Sequence, residues 1–479
     1  MMTLTVGEIA QLSHGVVSEL ADSFDRVAGP VVVDSHRVTR GCLFVAIPGA
    51  RVDGHDFAAQ AVADGAPVVL ASRPVSVPAI LVGDTVRALG DLARGYLHRL
   101  SDPVVVGITG SSGKTSTKDI VGRLLAELGP TVAPEGSFNT EVGLPLTLMR
   151  ADADTRYLAL EYSARGLDHI AYLCGIARPH IGVVLNVGVA HLGEFGSPAV
   201  IAQAKGELVE ALAADGVAVL NADDHAVAAM ASRTSARVVT FGLGAHADVR
   251  AVDVALDHMA RPTFRMLTPA GEVGVSLSLH GAHHVSNALA ATVVALELGL
   301  DLESVAATLA RIEAVSRWRM QVSERADGLV VINDAYNANP DSMKAALAAL
   351  AAIGAGGYAA AGEQGHRRRM HAVLGVMAEL GPTAPTAHRE LGAAAALIGV
   401  HQLVVVGRAA TAIADGAIEA GLDPARVTVV DGVDDAVSHL EAELGHGDVV
   451  LVKASRSADL QRVAEALLAS PADQAGASQ

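Results

Sequence analysis

The chain has 479 residues, of which 51% are hydrophobic, 18% charged and 3% aromatic, and carries a formal net charge of −17. This length predicts about three domains, the hydrophobic content excludes a disordered chain, and the low aromatic content means cores built mainly from Ala, Val and Leu. The acidic balance argues against a nucleic-acid surface, yet leaves room for an anionic nucleotide wherever the local phosphate site is positive.

Residues 1–102 alternate short strand-like runs, at 41–47 and 68–71, with turns, and nothing there is catalytic by itself. Cys42 and Cys174 are far apart and lack metal-ligand spacing, which suits a reducing compartment, and no basic segment leads into an apolar one at the N-terminus. A cytoplasmic location is expected. From residue 103, apolar runs at 104–108, 157–161, 181–187 and 217–221 alternate with helical patterns, the signature of a parallel sheet flanked by helices.

Between the first of these strands and a helix with Ile120, Val121, Leu124, Leu125 and Leu128 on one face lies GITGSSGKTST, at 107–117. Glycines let backbone N–H groups approach phosphate oxygens, the helix N-terminus adds positive dipole, Lys114 reaches terminal phosphates and Thr115 can hold Mg2+. An ATP site is the leading expectation. The strict phosphate-loop pattern asks for glycine at 108, where Ile108 stands one place after Gly107, so this loop is a variant.

Ligands of open parallel sheets bind at strand ends. Glu161 ends one strand and could hold Mg2+, while Asn186 and His191 follow another and His191 could serve a second metal. Taken singly, each reads as structural. Lys205 sits in a helical stretch with Ile201, Leu208 and Leu212 on one side. Local sequence favours a solvated lysine; the alternative is a buried, neutral amine that reacts with CO2 to give a metal-binding carbamate.

A second alternating series begins near 314, with strands expected at 329–332, 371–374, 403–406, 427–430 and 448–452 and Ala-rich helices between them, as in a Rossmann-like domain. The uncharged stretch 345–362 approaches the length of a membrane span, but it is Ala- and Gly-rich and reads as helix, loop and strand. No membrane insertion is expected. The segment NDAYNANPDSM, at 333–343, follows a strand and starts a helix at Pro340; it groups Asp334, Tyr336, Asn337 and Asn339 in one turn, which locally is also an ordinary capped loop. Asn287 and Arg319 are unremarked residues locally, and 471–479 reads as a loose tail.

The order of the motifs changes the weight of each. TGSSGKTSTKD at 109–119, FNTEVGLPLTL at 138–148, LNVGVAHLGEFGS at 185–197, AKGEL at 204–208 and NDAYNANPDSM together resemble the Mur ligases, and within them the branch that adds D-alanyl-D-alanine to UDP-N-acetylmuramoyl-tripeptide. DSHRVTRGCLFVAIPG and DGHDF in the first hundred residues are similar to the family's uridine-nucleotide domain.

The resemblance implies an α/β chain of three domains: a small mixed α/β UDP-substrate domain at 1–102, a central P-loop ATPase domain with a mostly parallel sheet at 103–313, and a C-terminal Rossmann-like domain at 314–470, with 471–479 as the tail. It implies ATP contacts from Thr109, Gly110, Ser111, Ser112, Gly113, Lys114, Thr115, Asn287, Arg319, Asp334, Tyr336 and Asn337, with Asn287 on the adenine. Mg2+ would be held by Thr115, Glu161, His191 and Lys205 as its carbamate, and the UDP-substrate by Ser35, Arg37, Asn139 and Thr140. Lys114, Glu161, His191 and Lys205 would be catalytic, the partners UDP-MurNAc-tripeptide and D-Ala-D-Ala, the chain a monomer, and the intermediate an acyl phosphate.

The chain departs from the family pattern at His36, at Tyr162 and Ser163, at Val376 and at Ala454, and it lacks the DNPR motif typical of the diaminopimelate-adding relatives. The other expectations to weigh are a Mur-type ligase with another amino substrate and a non-catalytic UDP-nucleotide-binding paralogue.

Overall fold

Valine-rich runs that are apolar at every position need cover on both faces, and they form the middle of each sheet in the computed structural model, which describes residues 2–49, 52–134, 136–188, 192–356 and 367–469. The first region builds a five-stranded sheet in the order Val16–Val17, Ala79–Leu81, Val68–Ala71, Leu43–Val45, Val31–Val32, parallel except at the first pair. Asp84 caps the following helix, Thr85–Leu97, by accepting from the Arg87 N–H at 2.9 Å. This helix drives Leu89, Leu92 and Tyr96 into the same apolar cluster as Leu144, Leu148 and Leu173 of the next region. The Tyr96 hydroxyl donates to the Ala151 carbonyl at 2.6 Å, so the two regions share one core.

The central sheet has nine strands, ordered Gly271–Ser276, Pro262–Thr268, Val249–Leu256, Arg237–Gly242, Val217–Asn221, Ile181–Val184, Val104–Thr109, Tyr157–Glu161, Thr131–Val132. The four expected central strands are present and parallel. The run expected to reach 187 stops at Val184, because the chain then turns toward the phosphate loop: Leu185 N–H donates to Thr109 O at 3.0 Å, and Asn186 O accepts from Ser111 N–H at 3.1 Å. The edge strands from Arg237 onward were not anticipated. Pro262–Thr268 alternates buried and exposed residues, as an antiparallel strand with one solvated face does, rather than running continuously apolar.

The C-terminal sheet has six strands, ordered Gln321–Glu324, Val330–Asn333, Val449–Lys453, Met370–Leu374, Gln402–Val406, Val427–Val430, all parallel but the first pair. Each of the five expected strands lies within a residue or so of its expected bounds. The helix Pro340–Ala355 begins at Pro340, capped by Asn339, whose side chain accepts from Ser342 N–H at 2.8 Å. It absorbs most of the uncharged stretch; the strand expected at the end of that stretch and the tail 471–479 lie outside the described residues. Among those residues no helix is long and apolar enough to cross a membrane.

The C-terminal region has its own core, with one intruder. Ala260, at the tip of the hairpin between Val249–Leu256 and Pro262–Thr268, is fully buried there beside Leu350 and Ile353.

Candidate active site

Gly113 has a left-handed backbone (φ +81°) and opens the helix Lys114–Ala126; a Cβ there would stand 2.8 Å from Asn287 Oδ1. The glycine is therefore required twice, by the turn and by the close approach of buried Asn287. Asn186 shapes the rest of the loop, accepting from Ser112 N–H at 2.9 Å and donating to Ser112 O at 3.2 Å. Lys114 Nζ folds back onto Gly110 O at 2.6 Å. Burial pulls its ammonium down to about 8, with Glu161 attraction opposing the fall and Arg319 adding to it.

Glu161 ends its strand buried, one oxygen accepting from Ser137 Oγ and from Asn139 Nδ2, each at 3.2 Å. Its other oxygen, Oε1, is buried and makes no hydrogen bond among the described residues, and Thr109 Oγ1 is in the same condition. Buried carboxylate oxygens do not ordinarily go unpaired. A hard cation between this oxygen and Thr115 fits the donor set, and Mg2+ takes such oxygen ligands.

Lys205 corrects the local expectation of a solvated side chain: only 5% of it is exposed, and it forms no ion pair among the described residues. It stands four residues after Ile201 and three before Leu208, so it shares their inward face of the helix Pro198–Glu210. Burial, and then repulsion from Lys114, holds its amine well below the usual lysine range. His191 lies outside the described residues.

Lys118, fully buried in the same helix as Lys114, pairs with Asp119 at 2.6 Å and donates to Pro134 O and Gly136 O. Asp119 in turn accepts from Ser316 Oγ at 2.7 Å, and Ser316 Oγ accepts from Gly136 N–H at 3.1 Å. This network ties the phosphate helix to the loop carrying Ser137 and Asn139, and both to the linker toward the C-terminal region. No local sequence signal marks its closure, because Ser316 lies 180 residues from Gly136 and 197 from Asp119.

The C-terminal region closes the opposite wall. Arg319 lies 4.2 Å over the Tyr336 ring, Asn339 Nδ2 reaches Ser111 O at 3.5 Å, and a Cβ on Gly188 would collide with Asp341. Between the walls is a cleft of about 590 Å3, onto which Ser111, Lys114, Thr115, Asn139, Thr140, Arg319, Tyr336 and Asn337 all open. Asp334 does not: its carboxylate pairs with Lys453 at 2.6 Å and accepts from Met320 N–H at 3.0 Å. Ser35 and Arg37, in a short turn capped by Asp34, also lie away from the cleft wall. Sequence reasoning passed over Ser137, Lys118, Arg165, His169 and Arg456; the last is reached only once the sheet brings residues 336 and 456 to one end of the fold.

Comparison with known proteins agrees with this geometry. Residues 30–96 match the model described as Mur ligase family, catalytic domain; 108–295 match Mur ligase middle domain; 318–456 match Mur ligase, glutamate ligase domain. The UDP-N-acetylmuramoyl-tripeptide–D-alanyl-D-alanine ligase of Mycobacterium tuberculosis is 48% identical with 98% of each chain covered, and that of Escherichia coli is 34% identical over 98% of this chain and 99% of the other. Among solved structures, MurF from Acinetobacter baumannii is 29% identical with a TM-score of 0.85, covering 98% of this chain and 100% of that one. A Thermotoga maritima MurF ligase in complex with ADP is 30% identical with a TM-score of 0.77, covering 92% and 97%. With three consecutive family models and full-length relatives on this architecture, the chain belongs to the Mur ligase family.

Proposed function

We propose that this chain joins D-Ala-D-Ala to UDP-MurNAc-tripeptide in peptidoglycan precursor synthesis, cleaving ATP to ADP and phosphate. The observation that carries the proposal is one cleft walled by the phosphate loop on one side and by Tyr336, Asn337 and Arg319 on the other, with the orphaned Glu161 oxygen behind Ser137 and Asn139. Full-length relatives bearing that activity in their names support it.

The tripeptide carboxylate attacks the γ-phosphorus, the bond to the ADP oxygen breaks, and an acyl phosphate results. The dipeptide amine then attacks the acyl carbon and loses a proton, and phosphate departs. Both steps bring anions together, so positive charge has to be in place beforehand. Lys114 and Arg319 would supply it from the two walls, and Thr115 and Glu161 would hold Mg2+, whose charge offsets that of the phosphates. Asn287, beside Gly113, would contact the adenine.

Lys205 would complete the site as a carbamate: its neutral amine adds to CO2, an N–C bond forms and a proton leaves. The resulting anion would relieve the repulsion from Lys114 and, with His191, hold a second cation. Closure of the C-terminal wall would keep water from the acyl phosphate. Ser35 and Arg37 are proposed to meet the uridine nucleotide on the first region, Asn139 and Thr140 the substrate end in the cleft. Two buried free thiols, Cys42 and Cys174, suit action in the cytoplasm.

The test is phosphate release with ATP, either UDP-tripeptide (ending in diaminopimelate or in lysine), and D-Ala-D-Ala or single amino acids. Release with D-Ala-D-Ala alone supports the proposal. Silence with both tripeptides rejects it.

A further inference from the structure

Among the described residues, five arginine and lysine side chains open onto the cleft: Lys114, Arg165, Arg319, Lys453 and Arg456. One is already paired, and three stand elsewhere on the lining. Lys114 and Arg319 face the nucleotide site, and Arg165 stands with His169 and Ser163, the latter two also lining a second cavity shared with Asp84 and Arg87 of the first region. Lys453 is buried against Asp334 and donates to Asn337 O at 2.9 Å.

Arg456 differs from these in lying over an aromatic ring at a strand end. It follows the strand Val449–Lys453 and opens a short turn, Arg456–Ala458, at the end of a parallel strand where open sheets bind ligands. Its side chain is 48% exposed and, among the described residues, its one carboxylate contact is Asp459, three residues on, at 3.2 Å, with Asp459 itself 60% exposed. Such a pair holds weakly and yields readily to a better anion. The guanidinium carbon lies 4.4 Å over the Trp318 ring, and Trp318 Nε1 is fixed by donating to Glu465 at 3.0 Å. The ring is thus a shelf that orients the guanidinium without consuming its N–H donors.

On the wall opposite the phosphate loop, an amino substrate that ends in a carboxylate needs one planar cation. We propose that Arg456 receives the terminal carboxylate of the incoming D-Ala-D-Ala as a paired, two-hydrogen-bond contact, which rests on the ligase function proposed above. The carboxylate displaces Asp459, and the dipeptide's amine is left pointing into the cleft toward the acyl phosphate. Selection of a dipeptide with a free C-terminus follows.

The test is initial-rate phosphate release by wild type, Arg456→Gln and Arg456→Lys, with D-Ala-D-Ala and with its C-terminal amide. Arg456→Gln should raise the KM for D-Ala-D-Ala about 10- to 100-fold while the KM values for ATP and UDP-tripeptide stay within about twofold. Arg456→Lys should recover part of the loss. The amide should be a poor substrate for wild type and no poorer for Arg456→Gln.

Trp318 is the chain's one tryptophan, so its emission should respond to D-Ala-D-Ala in wild type and not in Arg456→Gln. An unchanged dipeptide KM in an active Arg456→Gln enzyme, or a further penalty on the amide, overturns the assignment. Wild type that is silent with D-Ala-D-Ala overturns the ligase function, and this assignment with it.

Discussion

Nucleotide binding should charge Lys114. Burial brings this ammonium down to about 8 from an ordinary value of 10.5. A triphosphate laid against it restores the charged form, because an anion within a few ångströms favours the cation. At pH 8 the free lysine is about half protonated, so binding should take up about 0.5 proton, about 0.1 at pH 7 and nearly one by pH 9.

Calorimetric titration with ATP in two buffers of differing ionisation enthalpy measures this directly, since the apparent enthalpy then changes with buffer by the number of protons taken up. Lys114→Arg is the control, because a guanidinium stays charged throughout this range and its uptake should vanish. The sign for stability follows from the same shift. The folded state binds this proton less tightly than the unfolded one, so the penalty is complete below about pH 8 and disappears as pH rises from about 8 through 10.5. Equal uptake by wild type and Lys114→Arg at pH 8, or none in wild type, would refute the reasoning.

Other consequences are open to measurement. Lys205→Ala should abolish ligation with the fold intact, and labelled carbon dioxide should give a carbamate resonance in wild type that the variant lacks; a fully active variant sinks the carbamate. Glu161→Gln should leave ATP affinity without Mg2+ nearly unchanged but cut turnover by about 100-fold or more at ordinary Mg2+, partly restored by excess Mg2+; turnover like wild type would show that the orphaned oxygen holds no cation. Lys118→Met, which leaves Asp119 buried without its charge partner, should cost about 3–5 kcal/mol in denaturant titration. Burial pushes Asp448 upward, but His371, Arg369 and the Gly445 N–H outweigh it and hold the carboxyl at about 2. That carboxyl's stabilisation, about 2 kcal/mol, should be complete above about pH 4 and lost as pH falls through about 2; a C-terminal region equally stable at pH 5 and pH 2 would contradict this.

The parts of the fold legible in the sequence were those whose signal is local. Val104–Thr109 and Val449–Lys453 are apolar up to their last residue because neighbours cover both faces, and Pro340 after Asn339 announces a helix start. Of the edge strands, Pro262–Thr268 and Gly271–Ser276 escape a search for continuous apolar runs because they belong to half-solvated antiparallel pairs. Lys205 was legible in hindsight from its helical phase with Ile201 and Leu208, which outweighs the general habit of lysines to stay in water. The Lys118, Asp119 and Ser316 network and the stacking of Arg456 on Trp318 were not legible, since each depends on which distant segments the sheets bring together.

The seating of Ala260 in the C-terminal core has a mechanical consequence. Ser316 is bonded to the central region through Asp119 and Gly136, whereas the Trp318 carbonyl accepts from Tyr336 N–H at 3.1 Å and its indole holds Glu465, so the covalent joint narrows to Arg317. Arg317 and the Ala260 tip are thus two joints between the regions, and Asn339 with Ser111, Asp341 against Gly188, and Gly193 N–H donating to Glu379 O at 3.2 Å join them again across the cleft. A ligand grasped from both walls therefore bridges two regions that are already fastened to each other on more than one side of it.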